Sequence, residues 1–108
     1  MQLPNNANLK IMLLLLLSTV ISQPLWAADE DAAKALAKAN NCFTCHAVDK
    51  QKVGPAWNAI AAKYKGDAQA QDKLSQHLTT GGASKSHMIV KAEDASQIKN
   101  LVDWLLAF

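Results

Sequence analysis

The chain contains no arginine: all eleven basic residues among its 108 are lysines, set against nine acids. A net charge of +2, with no clustered basic face, argues against nucleic acid as a partner. Two cysteines are too few for a multi-disulfide scaffold, although one bridge would be allowed. No stretch alternates apolar and polar residues as a half-buried strand does, and no repeat or low-complexity tract occurs. With 50% apolar and 19% charged residues, the composition is that of a globular domain and excludes a disordered chain.

One apolar run stands out, Ile11 to Leu17, extended through Val20 and Ile21 but interrupted at Ser18 and Thr19. A membrane-crossing helix needs about 20 apolar residues, and this run is shorter. Lys10 precedes it, Gln23 and Pro24 break it, and the small residues Ala27 and Ala28 follow. That succession reads as a secretory signal peptide cut after Ala27, where Leu25 is the residue three back; an uncleaved anchor is the alternative. The expected division is a leader over 1–27 and one domain over 28–108. Losing Lys10 with the leader brings the charges close to balance, so a pI near 8.6 describes only the precursor.

A domain this small buries about 60% of its unfolded surface and often needs a metal or cofactor as a staple. The apolar spacing predicts helices throughout. Asp29 and Asp31 precede Ala32, Ala33, Leu36, Ala37 and Ala39. Ala56 to Tyr64 starts after Gly54-Pro55 and stops at Gly66, and Ala70 to Leu78 ends at Gly81-Gly82. In the last segment Asp94 caps, Gln97 completes a capping box, and Ile98, Leu101, Val102, Leu105 and Phe108 share a face. Val48 to Val53 and Gly81 to Lys91 read as loops. The expectation is an all-α domain of about four helices with two long connections, a length at which loops usually carry function.

Cys42-Phe43-Thr44-Cys45-His46 is the attachment signature of c-type haem. Cysteines at this spacing, placed at the end of a helix, present both sulfurs along one porphyrin edge for thioether bonds to its vinyl groups. His46 then carries an imidazole under the iron. A secretory leader fits, because this haem is attached outside the bacterial cytoplasm. A thioredoxin-type redox pair would follow a strand, and none is expected here. Structural zinc needs four ligands, and His77 and His87 lie outside the usual finger spacing. A plain disulfide would leave His46 without a purpose.

From Asp29 to Phe108 the chain resembles the short bacterial class I cytochromes c. The likeness is closest in CFTCHAVDKQKVGPAWNAIAAKY, Cys42 to Tyr64, and resumes at Gly81-Gly82 and around Trp104. The resemblance implies a haem wrapped by helices, with the first and last crossing through Leu101, Trp104 and Leu105. It also implies a hydrogen bond from the His46 imidazole to the Pro55 carbonyl, which raises the donor strength of the ring. Trp57 holds an aromatic position that serves either the haem or the ordinary core.

In that family the iron lies between histidine and a methionine from the loop after the third helix. Met88 lies in such a loop and is the expected sixth ligand, with His46 opposite and Cys42 and Cys45 holding the ring. His/Met ligation raises the potential and suits an electron carrier. The segment Gly81 to Val90 departs from the family pattern: it is shorter and lacks its tryptophan and prolines. His87 as the ligand, giving bis-histidine iron, and an open sixth site are therefore the alternatives. His77 is placed on the outer face of its helix with no role, and Lys52 is a candidate to stand in for the absent arginine at the haem propionates. The function implied is a periplasmic electron carrier with one covalent haem c. It would dock transiently on a redox donor and an acceptor at the haem edge, with no nucleic acid and no membrane insertion after cleavage. A haem subunit of a larger oxidoreductase, and a haem enzyme or sensor with an open iron site, are the competing readings.

Overall fold

The computed structural model describes residues 27–108, so the expected leader lies outside the described residues except for Ala27. Five helices and no strand occur among them: α1 Glu30–Ala39, α2 Cys42–Cys45, α3 Trp57–Tyr64, α4 Ala70–Thr80 and α5 Ala95–Leu106. No helix of the described residues is long and apolar enough to cross a membrane.

Each boundary has a local cause. The Asp29 carboxylate accepts the Ala32 N–H at 3.0 Å, satisfying a free donor of the first turn of α1. Gly81, at φ +84, closes α4 by donating its N–H to the His77 carbonyl. Asp94 accepts from the N–H groups of Ser96 and Gln97 at the start of α5. Gln97 Oε1 reaches back to the Glu93 N–H at 2.9 Å, so the expected capping box forms one residue early.

One expectation changes. The cysteine pair does not close the first helix but forms a one-turn helix of its own, α2. Asn40 ends α1, and Asn41 then takes a left-handed conformation at φ +56, which asparagine tolerates better than most residues. The resulting break redirects the chain before Cys42, a turn that helical periodicity does not register.

α5 is the hub, packing against α1, α3 and α4. Ala33 and Ala37 on α1 are 1% and 0% exposed and lie in one core with Leu101 and Val102 of α5. Their lack of bulk permits close approach of the two helices. Trp104 and Leu105 are also buried, as the resemblance implies. Phe108 stays partly exposed, stacking at the edge of an aromatic group in which Trp57 and Trp104 meet edge to face at 5.3 Å.

Candidate functional site

A cavity of about 520 Å³ opens between α2, α3, α4, α5 and the loop that follows Gly81. Its volume is that of a cofactor site, where about 300–1,000 Å³ is usual. The walls are mainly apolar, with Trp57, Ile60, Leu74 and Leu101 among them, and the polar groups that face in are few.

His46 supplies the first of these groups. Its Nδ1 lies 2.7 Å from the Pro55 carbonyl oxygen, as expected. A carbonyl only accepts, so Nδ1 carries the proton and Nε2 keeps a free lone pair for a metal. The ring is also held from behind. A Cβ on Gly54 would lie 2.4 Å from His46 Cε1, so only glycine leaves room for the imidazole. The Gly54 N–H donates to the Cys45 carbonyl at 2.7 Å, tying this support to α2.

Cys42 lines the cavity and Cys45, also half-buried, closes the same turn; they are not bridged to each other. Burial pushes the Cys42 thiol above its ordinary value, and the neighbouring Cys45 adds to this. A disulfide-exchanging cysteine has the opposite property, a lowered value at a helix N-terminus, so the redox-pair reading weakens. Lys52 does not face the cavity: its Nζ donates to the Phe43 carbonyl at 2.8 Å, satisfying an acceptor of α2.

On the loop after α4 the structure distinguishes two neighbouring residues. His87 is half-buried and lines the cavity, whereas Met88 is 47% exposed and is not part of the lining. The ring centres of His46 and His87 stand 6.1 Å apart. A separation of this size would let both rings reach one first-row metal at about 2.0–2.1 Å. His87 Nδ1 lies 2.8 Å from the Met88 carbonyl, so it too is the protonated nitrogen and Nε2 is left free. The donor set and the apolar walls together fit a haem bound at α2.

His77, expected on the outer face of its helix, is exposed but also lines the cavity, with its ring centre 4.7 Å from that of His87. Burial lowers its pKa, and the nearby His87 lowers it further. The signal was present in the sequence: position 77 shares a helical face with Ala70, Leu74 and Leu78. Gly82 completes the fit, since a Cβ there would approach His77 Nδ1 to 2.6 Å. Trp57, only 2% exposed, belongs to the core and the cavity wall at once.

Comparison with known proteins places these features together. The cytochrome c family model matches residues 30–108. Cytochrome c-551 of Pseudomonas aeruginosa is 33% identical over 97 residues, covering 87% of this chain and 90% of the relative. Cytochrome c-551 of Allochromatium vinosum is 40% identical over 75 residues, 66% of this chain and 80% of that one. Among solved structures, the class 1 cytochrome MtoD from Sideroxydans lithotrophicus ES-1 superposes with a TM-score of 0.67. It has 44% identity and covers 75% of this chain and 97% of that one.

Proposed function

The chain belongs to the cytochrome c family, and from that premise we propose how its own residues serve one covalently held haem. The protein is an electron carrier whose bound haem c supplies a one-electron couple at iron. Cys42 and Cys45 form the thioether links. His46, immediately after α2, would ligate the iron, oriented by Pro55 and seated on Gly54.

For the sixth position the geometry favours His87 over the expected Met88. What supports this is that His87 and His46 both line the cavity with ring centres 6.1 Å apart, each with Nδ1 bonded to a carbonyl and Nε2 left free, while Met88 is outside the lining. Met88 is supported by the family resemblance and by its place beside His87 on the same loop. Either side chain would occupy that position on the iron and keep substrates off it, which suits a carrier rather than an enzyme. The signal-peptide reading supports a periplasmic location. Lys63 at the cavity wall is one of the lysines that would steer a redox partner to a small, transient interface there.

Visible and near-infrared spectra of the oxidised protein and two variants provide the test. His87→Ala is expected to convert a low-spin spectrum to a high-spin one, with Met88→Ala leaving it unchanged. A weak red-edge sulfur-to-iron band that Met88→Ala abolishes would return the sixth position to methionine. Pigment that leaves the protein in acidified organic solvent would overturn covalent attachment itself.

A further inference from the structure

Asn40 is the one buried polar side chain among the described residues, at 7% exposure. Its amide is fully employed. Nδ2 donates to the carbonyls of Leu36 and Lys91, both at 3.0 Å, and Oδ1 accepts the Lys91 N–H at 2.8 Å. Both backbone groups of one residue are thus held by a side chain 51 positions away. Asn40 ends α1 immediately before the Asn41 turn into Cys42, while Lys91 closes the loop that carries His87 and Met88. The same loop is fixed at two further points, the Val90 N–H on the Leu78 carbonyl at 2.8 Å and the His87 N–H on the Gly81 carbonyl at 3.1 Å. Those two anchors tie the loop to α4 and its end. Asn40 alone among the three ties it to the side of the molecule that bears the thioether cysteines.

We infer that Asn40 is a positioning residue for the sixth ligand, setting the separation between α2 and the 87–88 loop across the haem. The inference rests on the haem reading above but holds for His87 and Met88 alike. An exogenous ligand enters when the loop donor leaves the iron, so a looser loop admits it faster. Partners that orient a metal ligand from outside its coordination shell typically change metal binding by about 10–100-fold when removed.

The structure supplies a matched control. Asn100 makes an equivalent two-point clasp on Asp29, accepting its N–H at 2.7 Å and donating to its carbonyl at 2.9 Å. That clasp joins α5 to the start of α1 and does not involve the loop or lining residues of the cavity.

The experiment measures carbon monoxide binding to the reduced holoprotein by stopped flow, for wild type, Asn40→Ala and Asn100→Ala. Asn40→Ala is expected to bind roughly 10-fold faster than wild type, with Asn100→Ala at the wild-type rate. Equal rates in all three, or the same acceleration in both variants, would overturn the inference and reduce Asn40 to a structural clasp. If Asn40→Ala does not retain haem, Asn40→Asp replaces it, keeping the acceptor for Lys91 and losing both donated bonds. Acceleration there supports the positioning role and a wild-type rate overturns it. A wild-type protein that is already high-spin would instead fail the function reading, so the two failures are told apart by the starting spectrum.

Discussion

Glycine at position 54 does for the haem ligand what no other residue could. The His46 ring occupies the space a Cβ would need, at 2.4 Å from Cε1. Gly54→Ala is therefore expected to displace the imidazole and to weaken or abolish the low-spin spectrum, while Cys42 and Cys45 keep the pigment attached. Full retention of that spectrum in the alanine variant would contradict the packing. At this scale the sequence was a partial guide. Cys42, Cys45 and His46 stand next to one another in the chain, so their chemistry is legible without a fold. The Pro55 contact follows from resemblance. Gly54 and Asn40 work through space, on partners 8 and 51 residues away, and no local pattern announces them, whereas His77 shares its helical face with Ala70, Leu74 and Leu78. The order of His87 and Met88 depends on which way one loop residue turns, and spacing cannot decide that.

The pairing of α1 with α5 is fixed by size as much as by hydrophobicity. Ala37 is fully buried against α5, and a larger side chain has nowhere to go. Ala37→Leu is expected to destabilise the holoprotein by about 1–3 kcal/mol, read from denaturant midpoints at unchanged slope. Helix existence and type were legible because alanine spacing, caps and glycine stops agree along each segment. The separate turn α2 was not. It depends on a left-handed asparagine, a backbone event with no hydrophobic period.

Across the whole molecule, acid sensitivity is spread over the helix ends and contacts. Asp67 is held below its ordinary value mainly by Lys73, and Asp94 mainly by the Ser96 hydroxyl. Burial pushes Asp103 upward, but Lys99 at 2.6 Å and Gln71 at 2.8 Å outweigh it and leave its value lowered. A carboxylate lowered by folding contributes stability above its unfolded value of about 3.9, and that contribution disappears as pH falls through the folded value. Stability of the holoprotein should therefore drop as pH falls below about 4. Asp103→Asn should flatten part of that slope, and an unchanged slope in thermal melts across this range would count against the Asp103 pairing.

The two helices that embrace at the heart of this fold come from opposite ends of its ribbon. Residues 30–39 pack chiefly against residues 95–106, so this pairing forms only once two segments distant in the chain come together. The cysteines, by contrast, are ready early. Any apparatus that stitches on the pigment can thus meet a pliant strand instead of a finished globule, and closure of the distant pair afterwards locks its handiwork in place.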